Sequence, residues 1–482
     1  MEQAVAQRLA TGIPGLDEIC GGGLVPRYAY LVRGGPGTGK TTLGLHFLAA
    51  GAASGETTLF ISLEETESKI RRNAAQVGIN LNQVHILDLS PSSDFFANTE
   101  IYDIFSPAEV EREPITRQIV ETVQRLQPTR VFLDPITQFR YLTPDIFQFR
   151  KQVISFLRFL AEQRTTVIFS AENSAAFPDD DLQYIADGII SLELTNTGRY
   201  LTVSKMRGSS FVSGRHAMRL TAQGLQVFPR IIPAPLVAGH AFTLIPSGVP
   251  ELDELLNGGV ERGTITLVTG PSGVGKTTLG FQFMKEAASR GERSMVFSFE
   301  EEIEIMQQRC ESVNIPVRAM QQQQLLRIEK IEPLQYNPAE FAQHVRHFIE
   351  QKQIKVVMID SVTGYRLCMH GEDLISQLHA LSKYLQSRGV TVFLIMDTTD
   401  IVGDFKVTEI GASYLGDNII FLRFLEIEGE LRKAIGVLKK RLGDFEKTLR
   451  EFTISRYGIK VGKPLTNLRG ILSGMPTWID KT

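Results

Sequence analysis

The stretches GGPGTGKTT (residues 34–42) and GPSGVGKTT (residues 270–278) decide how this chain is read. Both fit the pattern G-x-x-x-x-G-K-[ST], which carries meaning only between a strand and a helix. In the second stretch, TITLVTG leads in and TTLGFQFMKEAASR leads out with apolar residues at helical spacing, and the first stretch has the same surroundings. Glycines in such a loop let backbone N–H groups turn inward around phosphates, and the helix N-terminus adds a favourable dipole. The expected nucleotide contacts are Gly34, Gly35, Gly37, Thr38, Gly39, Lys40, Thr41 and Thr42 in the first loop. In the second they are Gly270, Ser272, Gly273, Val274, Gly275, Lys276, Thr277 and Thr278. Lys40 and Lys276 would reach the β and γ oxygens of ATP, and the Thr41 and Thr277 hydroxyls would ligand Mg²⁺.

The loops belong to a longer repeat. TGIPGLDEICGGG (11–23) returns as SGVPELDELLNGG (247–259), and 276 − 40 = 236 matches 270 − 34 = 236. Glu64–Glu65 in FISLEET returns as Glu300–Glu301 in FSFEEE, again with 300 − 64 = 236. Further along the offset drifts, to 226 between Asp134 and Asp360 and to 234 between Lys205 and Lys439. Length change of that kind belongs in loops. The chain is therefore expected to be a duplicated domain, with residues 1–232 as the first copy, 242–482 as the second and 233–241 as a proline-bearing linker. In each copy short β-branched runs (TLFISL, RVFLD, TVIFS; SMVFSF, KVVMID, VTVFLIM) alternate with helical segments. That alternation predicts the α/β class, a mainly parallel sheet flanked by helices on both faces. ADGIISLEL and NIIFLRFL are expected to extend each sheet at one edge.

Composition narrows the function. Of 482 residues, 43% are apolar and 22% charged, an ordinary globular profile, and the formal charge is 51 − 54 = −3. The absence of a basic excess argues against a protein built chiefly to grip nucleic acid. No apolar run approaches the ~20 residues of a membrane span. The N-terminus lacks the charged-then-apolar plan of a secretory signal. Three scattered cysteines suit reduced thiols, so a cytoplasmic location is expected.

Asp134 and Asp360 each close a buried aliphatic run, where a carboxylate at the phosphate edge could support Mg²⁺ or simply cap the next turn. Asp360 precedes Ser361, whereas Asp134 precedes Pro135, whose peptide bond has little preference for trans. The paired glutamates stand a constant 24 residues after the loop lysine, 64 − 40 = 300 − 276. There they could orient or deprotonate an attacking water or hydroxyl, or form a solvated acidic turn. Lys205 with Arg207, and Lys439 with Arg441, sit at i and i+2 on alternating patterns. They could complete an ATP site across a subunit boundary, line an exposed strand, or touch nucleic acid. These residues leave three functional readings: an autophosphorylating kinase with ATPase activity, an ATP-gated signalling scaffold, and a nucleic-acid-dependent motor.

Tandem P-loops, paired glutamates, a late K-x-R, KKRLGDFEKTLREF and ILSGMPTW together resemble the KaiC family of RecA/DnaB-like ATPases. The resemblance runs almost end to end. It implies two RecA-like domains in a hexameric double ring with ATP between subunits. It also implies slow hydrolysis in the first ring, and in the second reversible phosphate transfer to hydroxyls of the adjacent subunit. By position, the family's Ser-Thr acceptor pair falls on Ser413–Tyr414, and an upstream modulating threonine on Thr408. Serine is kept and threonine has become tyrosine, so Ser413 is the expected acceptor. A KaiB-like partner on the first ring fits the resemblance. The family tail that binds KaiA would follow the SGxPT segment, and the sequence ends at Thr482, so KaiA control is not expected.

Overall fold

The computed structural model describes residues 8–91, 107–140, 145–172, 179–233, 243–369, 373–398, 414–470 and 477–478. It divides into two compact units, Met1–Arg230 and Ile231–Thr482. Thr408, Ser413 and nearly all of the expected linker lie outside the described residues.

The first unit is built on nine strands: β1 (Ala29–Gly34), β2 (Thr58–Ser62), β3 (His85–Asp88), β4 (Arg130–Asp134), β5 (Thr166–Glu172), β6 (Gly188–Thr195), β7 (Gly198–Met206), β8 (His216–Thr221) and β9 (Gly224–Phe228). Their order is β3-β2-β4-β5-β1-β6-β7-β8-β9. β1 to β6 run parallel, and β7 to β9 extend the sheet antiparallel. Alternate residues feed opposite faces. Phe60 and Phe132 pack with Leu43 and Phe47 on one face, while Leu59, Ile61 and Leu133 pack with Phe149 on the other.

The second unit repeats the plan. Its strands are β10 (Ile265–Gly270), β11 (Ser294–Ser298), β12 (Leu326–Lys330), β13 (Val356–Asp360), β14 (Thr391–Asp397), β15 (Asn418–Ile427), β16 (Glu430–Lys440), β17 (Arg450–Ser455) and β18 (Gly458–Pro464). The order β12-β11-β13-β14-β10-β15-β16-β17-β18 matches the first sheet position by position. Both sheets are thus mainly parallel with helices on both faces, as the alternation predicts. No helix among the described residues is long and apolar enough to cross a membrane.

Parallel strands bring their C-terminal ends to one edge, and the loops leaving that edge form the natural ligand crevice. Helix α1 (Lys40–Ala53) starts there after β1, and α2 (Lys276–Ser289) starts there after β10. Gly44 and Gly280 draw these helices onto the sheet. A Cβ at either would sit 2.3 Å from the Phe132 ring or from the Met358 sulfur. Close packing on β4 and β13 is what sets the first helical turn against Asp134 and Asp360.

Candidate active site

Gly39 and Gly275 precede these helices with φ of 106° and 116°, a left-handed conformation that a side chain would strain. Neither helix start has a side-chain cap. The first-turn N–H groups therefore face the loop concavity, the arrangement that accepts phosphate oxygens.

In the second unit the loop encloses a cavity of about 500 Å³ lined by Lys276, Thr277, Glu300, Glu301, Asp360 and Lys433, among others. Thr277 Oγ1 donates to Asp360 Oδ1 at 3.1 Å. Lys276, buried, donates to the Pro271 carbonyl at 2.8 Å and pairs with Asp397 Oδ1 at 2.8 Å. Glu300 accepts from the Ser361 hydroxyl at 2.5 Å. Glu301 is gripped by Arg309 through two bonds of 3.0 and 2.6 Å, and the same guanidinium donates to Thr278 Oγ1 at 2.9 Å. Burial pushes the Asp360 carboxyl up to about 7, against the opposing pull of the Thr277 hydrogen bond and the Arg309 charge. Glu301 and Glu300 add to the rise.

The first unit holds the same frame with different neighbours. Thr41 Oγ1 donates to Asp134 Oδ2 at 2.6 Å, and Ser170 donates to the other carboxylate oxygen. Ile395 stands where Ser170 would be (395 − 170 = 397 − 172 = 225), so Asp360 lacks that second hydroxyl. Burial raises Asp134 as well, opposed by the Ser170 and Thr41 hydrogen bonds and by Lys40. Lys40 donates to the Gly34 and Gly35 carbonyls, both at 2.9 Å, and burial lowers its pKa. Glu64 accepts from the Gln138 amide at 2.5 Å, and Glu65 pairs with the exposed Lys69 at 2.6 Å. Asn73 occupies the place of Arg309, 309 − 73 = 236. The bond from Asp134 to Pro135 is cis, and so is that from Asp360 to Ser361, where no proline is present.

Lys205 and Arg207 lie elsewhere. Lys205 sits opposite Ile189, which pairs with Leu31 three residues before Gly34, so it is set back about 10 Å from its own P-loop edge. Its ammonium donates to the Gln183 and Tyr184 carbonyls, and Arg207 pairs with Asp187. Lys439 likewise donates to the Gly416 carbonyl at 2.7 Å, and Arg441 pairs with Asp417 at 3.2 Å. Tyr414 stands beside them, 52% exposed, with its ring edge-on to His379 at 5.4 Å.

Four contacts at the site escape a reading by motif. Arg199 Nη2 lies 3.4 Å from the Gly37 carbonyl and Lys433 Nζ 3.2 Å from that of Gly273. Their spacing, 433 − 199 = 234, equals 439 − 205 and was the available signal. Asp397 has the carboxylate Glu172 at the same register in the first copy, whereas Arg309 is matched by Asn73 and left no repeat to detect.

This geometry agrees with comparison to known proteins. The family described as "ATPase: KaiC" matches residues 9–231 and again 245–466. The chain belongs to the KaiC ATPase family. A KaiC-family ATPase binds ATP, and the two matched segments are tandem copies of its domain. "Circadian clock oscillator protein KaiC" of Parasynechococcus marenigrum (strain WH8102) is 27% identical over 489 residues, covering 98% of this chain and 94% of that protein. "Circadian clock protein KaiC3" of Synechocystis sp. (strain ATCC 27184 / PCC 6803 / Kazusa) is 26% identical over 488 residues, covering 98% and 95%. KaiC-family membership accounts for the duplication.

Proposed function

We propose that the first domain hydrolyses ATP and the second transfers the γ-phosphate to a hydroxyl of a neighbouring copy, Ser413 before Tyr414. The reading rests on the position of the acceptor segment relative to the loop. Asp417, three residues beyond Tyr414, pairs its backbone N–H with the carbonyl of Ile265, the first residue of β10. The P-loop leaves Gly270 at the far end of that strand, five residues or about 17 Å away. Tyr414 and the cations Lys439 and Arg441 therefore share the edge opposite their own nucleotide site. A partner copy offers the geometry in which both are used, as a homohexamer in the cytoplasm would provide. A KaiB-like protein is the candidate partner of the first domain.

The residues divide the work. Backbone N–H groups of the loop, with Lys276 and Lys433, hold the phosphates in line. Thr277 and Asp360 form a hard-oxygen pair suited to Mg²⁺, and a buried carboxylate of raised pKa is a site that a cation relieves. Bound there, Mg²⁺ would neutralise charge on the β and γ oxygens. Glu300 takes the proton from the incoming hydroxyl, while Arg309 keeps Glu301 as a fixed counter-charge. In the first domain Glu64, held by Gln138, orients water, with Thr41 and Asp134 as the corresponding Mg²⁺ pair.

The test is incubation with Mg²⁺ and ATP followed by phosphosite mapping of wild type, Ser413→Ala, Tyr414→Phe and Lys276→Ala. Mixing Lys276→Ala with Ser413→Ala should restore phosphate to Ser413 of the former, because donor and acceptor reside on different copies. No phosphate on residues 408–414 of a wild-type protein that still hydrolyses ATP would refute the transfer.

A further inference from the structure

A second cavity, of about 600 Å³, opens at the other edge of the second sheet, beside Ser294 at the start of β11. Glu300 follows the end of that strand, so the cavity is about 17 Å from the nucleotide site. Three cations line it, Arg293, Arg327 and Lys352, with the amides of Gln321 and Gln324 and an apolar floor that includes Phe348. No carboxylate is among its lining residues. Arg327 lies over the Phe348 ring at 4.4 Å and 3.8 Å from Glu329 Oε2, its nearest acidic neighbour. Arg293 spends one nitrogen on the Lys352 carbonyl at 3.1 Å, and the Lys352 ammonium forms no ion pair among the described residues.

The first copy serves as a control for what the fold itself requires. Met295 pairs with Arg327 as Leu59 pairs with His85, and 295 − 59 = 236. By the same registers Thr57 stands for Arg293 (293 − 57 = 236) and Leu126 for Lys352 (352 − 126 = 360 − 134 = 226). None of the three cations is therefore needed to build the sheet. The glutamines come from an insertion. The offset grows from 315 − 79 = 236 to 327 − 85 = 242, and these six extra residues form the helix Val317–Gln322 and its exit. An added wall and three added positive charges accompany a cavity of ordinary ligand size in the second copy.

We infer that this cavity is a binding site for a small multivalent anion, a compact molecule carrying about three phosphate or carboxylate charges. Arg293 and Arg327 present planar donors for oxyanions, Lys352 supplies a point charge, and the glutamine amides donate at the rim. The apolar floor lowers the local dielectric, which strengthens these contacts relative to open surface.

The test uses the full chain saturated with Mg²⁺ and a non-hydrolysable ATP analogue, so that both P-loops are filled. Trimetaphosphate and propane-1,2,3-tricarboxylate are titrated in separate calorimetric runs. One saturable site per chain is expected for at least one of them. Which anion binds assigns the ligand to the phosphate or the carboxylate class. Exchanging Arg293→Thr, Arg327→His and Lys352→Leu, the first copy's residues, should weaken binding tenfold or more, and Lys352→Leu alone should weaken it measurably. ATP turnover should be unchanged in both variants, which also verifies folding. Absence of saturable binding for both anions, affinity unchanged in the triple variant, or full displacement by added nucleotide would each overturn the assignment.

Discussion

Replacing Asp397 with asparagine should tighten nucleotide binding in the second domain. Lys276 is 5% exposed and its ammonium is 2.8 Å from Asp397, whose side chain is 31% exposed. To meet a γ-phosphate, Lys276 must leave or share that carboxylate, and Asp397 then faces the phosphate charge at close range. Two unit charges 4 Å apart interact by about 4 kcal/mol at an effective dielectric of 20. Partial exposure of Asp397 and the offsetting Mg²⁺ charge reduce the net to about 1–2 kcal/mol, and 1.4 kcal/mol is a factor of ten. Asp397→Asn keeps the shape and removes the charge, so the dissociation constant of the second site should fall about tenfold. The first domain supplies the control. Lys40 rests on the Gly34 and Gly35 carbonyls rather than on Glu172, so Glu172→Gln should change affinity far less. Calorimetric titration of each variant with a non-hydrolysable ATP analogue, fitted to two classes of site, gives both constants. An unchanged or weaker second site in Asp397→Asn would show that the pair does not compete with nucleotide.

Arg309→Asn, which installs the first copy's residue, frees Glu301 and severs the tie to Thr278; on the proposed reading, second-domain turnover measured in a Lys40→Ala background should fall about tenfold to a hundredfold, since small misplacements beside the reacting groups cost that much. Arg130, 2% exposed, holds Glu56 through two bonds and donates to the carbonyls of Ala10 and Phe47. Arg130→Val should cost the first domain about 3–5 kcal/mol in urea unfolding, with part recovered by adding Glu56→Val. The half-buried ring of His46 and the buried ring of His216 accept from the backbone N–H groups of Leu225 and Arg230, and desolvation lowers both pKa values below 6.5. The unfolded chain therefore binds protons that the folded one excludes. First-domain stability should be full above about pH 6.5 and decline as pH falls through the depressed folded values, a slope that His46→Gln and His216→Gln should flatten in thermal melts.

What could be read in advance was whatever is local in sequence or doubled by the repeat. A P-loop is a nine-residue device, and the glutamates and strand-end aspartates follow it at repeated intervals, so one chain supplied two aligned examples. The pairings Thr41–Asp134 and Thr277–Asp360 bridge 93 and 83 residues, yet both partners already stood out by position. Asp397 reaches Lys276 only because β14 lies beside β10 in the sheet, an adjacency that the crossover order creates and that no local pattern reports. Arg309 was hidden for a different reason. It sits in the last turn of a helix among ordinary polar residues, and only the orientation of that helix, α3 (Ile303–Ser312), toward Glu301 gives it a part.

The repeat also shows where the two domains were free to diverge. The loop backbone is nearly identical, with left-handed Gly39 and Gly275 leading into uncapped helices in both copies. Divergence is concentrated one layer out, on the groups that hold the carboxylates. Gln138 becomes Gly364 (364 − 138 = 226), and a Cβ at Gly364 would sit 2.9 Å from Glu300 Oε1, so its loss lets the carboxylate settle against Ser361. Pro135, which has no hydroxyl, becomes Ser361, which donates one. Asn73 becomes Arg309, converting a loosely paired Glu65 into a clamped Glu301. The first glutamate accepts one 2.5 Å bond in each copy, from Gln138 or from Ser361, and it is the Arg309 exchange that fixes the second glutamate more tightly. On the proposed reading the clamped Glu301 keeps the second site ordered around an acceptor whose direction is set by another polypeptide, and freeing it with Arg309→Asn should lower transfer to protein more than hydrolysis to water.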